Sequence, residues 1–242
     1  MILKLKYFII SLIFIILSIP NARVSANEIS EFKIVLEKSL NTRKLNDLEN
    51  YLSKEDINQI NKNFKNLISK FPNAKWTIKS NQKANNKLFF DLNIIGSNIF
   101  NNREYLLNSN QTIQLIPKDN KFLECIIINS ETIIKTANNN LRLSIDIPNT
   151  VLTGSLYNID IILKDPLDNT IIVGGIMEHQ PNQIFEQTIN LAPLGSGGIF
   201  KIARAPSKAG KQRWAALIAH PNGMFSITKS VSVIENNSDK SI

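Results

Sequence analysis

The spacing of apolar residues divides the chain into a helical part and a strand part. In residues 29–71 apolar side chains recur every three or four positions, which is the spacing of an amphipathic helix. Three stretches have this pattern: residues 29–40, 45–52 and 57–71. Ser53, three residues before Asp56, resembles a helix N-cap for the third stretch, and Pro72 would end it. The pattern predicts three helices.

From Trp76 onward the apolar period shortens to two, which indicates β-strands. Long alternating runs occupy residues 76–136, and shorter runs bounded by Gly, Pro and Asn follow them. The clearest pair is residues 212–233, where an Asn-Gly pair between two alternating runs predicts a hairpin. Trp214 shares a face of this hairpin with smaller apolar residues, and we expect its indole in the core. The pattern predicts about four long antiparallel strands and then about six short ones.

A polar break at residues 138–140 separates the two kinds of strand. Of the nine glycines only Gly96 lies before the break, so tight turns are concentrated after it. We expect residues 27–137 to form an α+β domain of three helices and an antiparallel sheet. Residues 138–235 are expected to form an all-β, immunoglobulin-like sandwich, because short strands with Gly, Pro and Asn turns fill about one hundred residues. Residues 236–242 are expected to be a disordered tail.

The first 26 residues have the features of a secretory signal peptide. Lys4 and Lys6 precede an apolar run at residues 7–19, and small residues lead to Ala26, where we predict cleavage. The apolar run is shorter than the ~20 residues that a spanning helix needs, although an uncleaved membrane anchor is the alternative. The sequence therefore predicts export, with the membrane contacted only through this segment before cleavage.

Composition narrows the kinds of partner and chemistry. The formal net charge is +8, but the basic residues are scattered rather than clustered, so we expect no nucleic-acid partner. Cys125 is the only cysteine, which excludes an intramolecular disulfide, and its apolar neighbours predict a buried thiol. No cofactor motif is evident, and we expect no cofactor.

The glycine-rich stretch before Lys201 is the most suggestive motif, but it does not fit a phosphate-binding loop. Such a loop needs a Lys followed by Ser or Thr at the start of a helix, whereas Ile202 follows Lys201 in a predicted strand. We interpret the stretch as a turn that could contact a partner; its candidate residues are Gly195, Ser196, Gly197 and Gly198.

His179 and His220 lack the three or four ligands typical of a zinc site, so we expect no metal and no catalytic residues.

The order of three helices and about four long strands, with DLENYLS before the third helix and FPNAKWTI at the start of the sheet, resembles the nuclear transport factor two-like (SnoaL-like) fold. That resemblance implies a curved sheet wrapped around the helices as a cone, and possible homodimers through the sheet. Catalytic members of the family place Asp, His or Tyr inside the cone. The corresponding cavity candidates here are Asp91, Tyr105 and Glu124.

Later segments extend the resemblance. The segments IPNTVLTGSLYNIDIIL, LAPLGSGGIFK, APSKAGKQRWAALIAHPNG and TKSVSV resemble uncharacterised exported cyanobacterial proteins that pair such a domain with a C-terminal sandwich. This implies the periplasm or thylakoid lumen but no activity. We expect a non-enzymatic binding or assembly module with an unknown protein or small-molecule partner. The alternative is a small-molecule binder or enzyme that uses the cone cavity.

Overall fold

The structure, a computed structural model, describes residues 26–83, 87–117, 123–137, 141–165, 170–179, 188–195 and 197–235. Several predictions fall outside these ranges: the signal peptide apart from Ala26, the polar break at residues 138–140, Ser196, and the tail at residues 236–242. In the part of the chain that is described, no helix is both long enough and apolar enough to cross a membrane.

Three helices lie where the apolar spacing predicts them. They are α1 (Ala26–Thr42), a 3-10 helix (Leu45–Asn50) and α2 (Lys54–Lys70). The N-cap prediction is confirmed, because the Asp56 N–H donates to Ser53 Oγ at 3.2 Å. Helix α2 ends at Lys70, and its C-cap Phe71 directly precedes Pro72, whose ring disfavours helical backbone at the preceding position.

Twelve strands are present in the described residues. They are β1 (Lys75–Lys83), β2 (Lys87–Phe100), β3 (Arg103–Pro117), β4 (Leu123–Thr136), β5 (Leu143–Asp146), β6 (Thr150–Leu152), β7 (Leu156–Leu163), β8 (Val173–Glu178), β9 (Ala192–Pro193), β10 (Gly198–Arg204), β11 (Gly210–His220) and β12 (Gly223–Ile234).

These strands form one large sheet and one small one. The large sheet has nine strands in the order β1-β2-β3-β4-β12-β11-β8-β9, with β6 pairing alongside β12. The small sheet has three strands in the order β10-β7-β5. The junction in the large sheet is antiparallel: Phe225–Lys229 of β12 pairs with Glu131–Lys135 of β4.

The expected fold class is wrong. Of the described residues, 56% are in strands and 21% are in helices, so this part of the chain is mostly β rather than a three-helix cone followed by a separate immunoglobulin-like sandwich. The expectation failed because β4, which was assigned to the first domain only, also pairs with a strand from the expected second domain. Its last residues leave a free edge, and β12 hydrogen-bonds to that edge, so the strand ladder continues across the expected division.

The described residues divide into two compact units. The first contains residues 26–100 and Leu106–Ser130, and the second contains Asn101–Tyr105 and residues 131–235. Strands β3 and β4 each contribute residues to both units. Within the first unit, the helices bury their apolar faces on β1 and β2, and the rings of Phe32 and Phe90 stack with centroids 6.2 Å apart.

The core of the second unit takes side chains from both sheets. Its fully buried members include Ile159, Ile161, Ile172, Ile218, Ile227 and Val231. Trp214 is buried in this core as predicted, with 4% of its surface exposed. Its indole N–H donates to Tyr157 Oη at 2.7 Å, and the Tyr157 hydroxyl donates to Gln212 Oε1 at 2.7 Å. Burial raises the pKa of Tyr157, so the phenol keeps the proton that it donates.

The predicted hairpin is also confirmed. His220 pairs with Gly223 across a two-residue turn, and β11 and β12 stay in register from there to Gly210 and Val233. The Asn222 backbone N–H donates to His220 Nδ1 at 3.0 Å. The His220 side chain therefore helps to order the turn.

Candidate functional site

The first compact unit contains a cavity of about 60 Å³ between its helices and its sheet. Its walls are apolar and almost entirely buried. The helices contribute Leu36, Leu40, Ile60, Phe64 and Leu67. The strands contribute Trp76, Leu92, Ile94 and Ile113. An apolar space of this kind favours small apolar molecules over water, because water there would lose hydrogen bonds.

Helix α1 is held against the edge strand β1 by polar contacts that also position Trp76. Asn41 makes two bonds to the Trp76 backbone: its Oδ1 accepts from N–H at 3.0 Å and its Nδ2 donates to the carbonyl at 2.8 Å. Glu37 Oε2 accepts from the Ile78 N–H at 2.7 Å. These bonds satisfy main-chain groups that an edge strand otherwise leaves unpaired. The Trp76 ring then packs on Phe64 with centroids 5.2 Å apart.

Asn63 of α2 is the polar residue that stands out in the lining. The residue is half-buried, yet its Nδ2 is fully buried and has no hydrogen-bond partner. An unpaired buried donor costs roughly 1–3 kcal/mol, so such groups are rare in folded proteins. Asn63 therefore belongs to the cavity lining and carries a buried donor without a protein acceptor.

Two further polar groups reach the cavity from the sheet. Gln111 of β3 is buried, and its Nε2 makes only a long contact of 3.5 Å with Ser109 Oγ. Cys125 of β4 is also buried, as predicted. Burial, followed by the nearby charges of Asp56 and Glu124, raises the pKa of the Cys125 thiol. The thiol therefore stays protonated at neutral pH and is a poor nucleophile.

The three carboxyl and phenol candidates from the sequence do not line this cavity. Asp91 accepts hydrogen bonds from Asn81 Nδ2 at 2.6 Å and from Thr112 Oγ1 at 2.8 Å, which is a structural role. It alternates along β2 with the cavity residues Leu92 and Ile94, so it lies on the opposite face of the strand.

Tyr105 and Glu124 are likewise separated from the cavity. Tyr105 is half-buried in the short segment of β3 that belongs to the second unit. Glu124 is buried, but it precedes the cavity residue Cys125 in β4, and neighbouring strand residues point to opposite faces. The structure therefore does not bring these candidates together.

Of the loop candidates, Gly195 is exposed, whereas Gly197 and Gly198 are buried. Gly197 has φ of 71°, a left-handed conformation that favours glycine. Gly198 begins β10, and a Cβ there would lie 2.8 Å from the Ile161 carbonyl oxygen. These two glycines are explained by backbone geometry. In the described ranges, no group of three or more His, Cys, Asp or Glu side chains is arranged to hold a metal ion.

Asn63 and Gln111 were not among the candidates predicted from the sequence, although the sequence carries a signal for both. Asn63 falls three residues after Ile60 and four before Leu67, so it belongs to the apolar stripe of α2. Gln111 alternates with Ile113 and Leu115 on the buried face of β3. A polar residue inside an apolar stripe is the pattern that identifies both.

Residues 138–234 match a family described as a domain of unknown function, DUF8623. The match covers less than half of the chain, and every described residue that lines the cavity precedes it. No curated protein matches the chain. The comparisons therefore bear on the second compact unit and leave the cavity to be interpreted from its chemistry.

Proposed function

We propose that this protein is an exported, non-enzymatic binding protein that holds a small molecule in the cavity of its first compact unit. The observation that carries the proposal is the composition of the cavity wall. Among the described lining residues, nine have apolar side chains, and the polar groups are two amides and a thiol. Ligand pockets commonly combine a mainly apolar lining with a few polar groups that orient the ligand.

Binding fits this cavity better than catalysis does. General acid–base catalysis needs a group that exchanges protons near the working pH, and no Asp, Glu, His or Lys is among the described lining residues. The raised pKa of Cys125 also argues against nucleophilic catalysis. The remaining lining groups can fill space and form hydrogen bonds.

Export is supported by the first 26 residues. The basic start, the apolar run and the small residues before Ala26 together have the pattern of a cleaved signal peptide. This pattern is consistent with a protein that carries or buffers a small apolar molecule in an envelope compartment.

The two tryptophans allow a direct test by NMR. Trp76 lines the cavity, whereas Trp214 is buried in the core of the second unit, so their indole N–H signals report on different places. Xenon is a suitable first probe because it is apolar and small enough for a buried cavity. We expect xenon to shift the Trp76 signal saturably and to leave the Trp214 signal unchanged.

A blocking variant provides the control. Leu40→Phe adds volume at the cavity wall and should abolish the xenon response of Trp76 while the Trp214 signal reports an intact second unit. If neither xenon nor a larger apolar probe shifts the wild-type Trp76 signal, the cavity does not bind ligands and the proposed function is wrong.

A further inference from the structure

The Asn63 side chain indicates what the cavity selects. Its Nδ2 is buried without a partner, in a lining that is otherwise apolar apart from Gln111 and Cys125. This nitrogen has almost no accessible surface in the free protein, so a ligand reaches it only when the side chain turns toward the cavity. A hydrogen-bond acceptor on the ligand would then recover an interaction that the free protein lacks. A ligand without an acceptor gains nothing from this amide, because the donor is then unsatisfied both before and after binding.

Charge excludes other classes of ligand. The described lining residues include no Lys, Arg or His that would neutralise an anion, and no Asp or Glu that would neutralise a cation. Moving an unpaired charge into an apolar cavity is far more costly than moving a neutral polar group. The part of the ligand that enters the cavity is therefore neutral.

Size limits that part to a few atoms. The cavity of about 60 Å³ has room for about four or five water-sized groups, at roughly 10–15 Å³ each. That is the size of a short branched or cyclic carbon fragment with one oxygen atom.

Resting on the proposed function, we infer that the cavity selects neutral, mainly apolar molecules with one acceptor oxygen, such as a ketone or ester carbonyl, which accepts a hydrogen bond from Asn63 Nδ2. The apolar walls supply most of the affinity, and Asn63 supplies the selectivity.

The inference can be tested with two probes of the same shape. In 2-butanone a carbonyl oxygen occupies the place of the terminal methylene carbon of 2-methyl-1-butene. Each probe is titrated into the full chain, and binding is followed by the Trp76 indole signal. The variants are Asn63→Leu, which replaces the amide with a side chain of similar shape, and Asn63→Ala, which removes it without adding apolar volume. Asn66→Leu, on the exposed face of α2, is the matched control.

In the wild-type protein both probes should bind. Both Asn63 variants should lower the affinity for 2-butanone relative to 2-methyl-1-butene by about fivefold to tenfold, which corresponds to one net hydrogen bond. Asn66→Leu should leave this ratio unchanged.

The outcomes separate the two proposals. If both probes bind and neither Asn63 variant changes their affinity ratio, selection by Asn63 is wrong, and the cavity remains a binding site of a different selectivity. This is also the result expected if Asn63 only holds a water molecule. If neither probe shifts the Trp76 signal of the wild-type protein, the proposed function fails and this inference fails with it.

Discussion

The substitution Asn63→Leu should stabilise the free protein, even though it is expected to impair ligand selection. In the free protein Asn63 Nδ2 is buried without a hydrogen-bond partner. Leucine has a similar branched shape, carries no unpaired donor and adds apolar surface to a wall already formed by Ile60, Phe64 and Leu67. A change that removes a binding group while raising stability is typical of functional positions.

The expected gain in the free energy of unfolding of Asn63→Leu has two contributions. Removing an unpaired buried donor should recover roughly 1–3 kcal/mol in the free energy of unfolding. The higher helix propensity of leucine should add up to ~0.5 kcal/mol. For a chain of this length, the total corresponds to an increase in Tm of roughly 3–10 °C. Asn66→Leu gains only the helix propensity, because Asn66 is exposed, and should raise Tm by no more than ~2 °C.

The assay is chemical denaturation followed by tryptophan fluorescence, with thermal unfolding as a second measurement. Trp76 contacts Phe64 in the same unit, so its emission reports on the region that is changed. The reasoning would be refuted if Asn63→Leu were no more stable than Asn66→Leu. That result would mean that the Asn63 amide already has a partner in solution.

Three further substitutions test the positions of individual side chains. Trp214→Ala should lower the free energy of unfolding by about 3–5 kcal/mol, because it leaves a cavity in the second core, and a loss below ~1 kcal/mol in calorimetry would contradict its burial. Asn41→Ala should cost about 1–3 kcal/mol and speed hydrogen exchange at the start of β1, whereas Thr42→Ala, which loses only an exposed bond within α1, should do neither. Gly197→Ala should cost about 1 kcal/mol or more because of its left-handed φ, with Gly195→Ala near zero in the same denaturation assay; equal effects would contradict the turn geometry.

Local structure was largely predictable from the sequence. The stripe in residues 57–71 predicts α2, and Ser53 predicts where it begins. The alternation in residues 212–233 predicts the β11–β12 hairpin and the burial of Trp214. These features depend on neighbours only a few positions apart, because helix and strand periodicity set which side chains share a face.

The fold class was not predictable in the same way. Alternation along β4 indicates which of its side chains are buried, but it does not indicate which strand pairs with its edge. β12 lies almost one hundred residues further along the chain, and its pairing with Glu131–Lys135 joins regions that turn composition had separated. Main-chain hydrogen bonds carry no residue-type signature, so this pairing leaves little trace in the sequence.

For the candidate site, too, the sequence predicted local features and the tertiary structure decided how they come together. Sequence by itself determined that Cys125 is buried and that Asn63 lies on the apolar face of α2. Only the tertiary structure decided that a cavity lies between these two residues, that Asn63 Nδ2 has no partner there, and that Asp91 and Glu124 lie elsewhere. The physical reason is that a cavity is space left unfilled where several elements meet. Its existence depends on how closely side chains distant in sequence pack together, which no single stretch of the chain specifies.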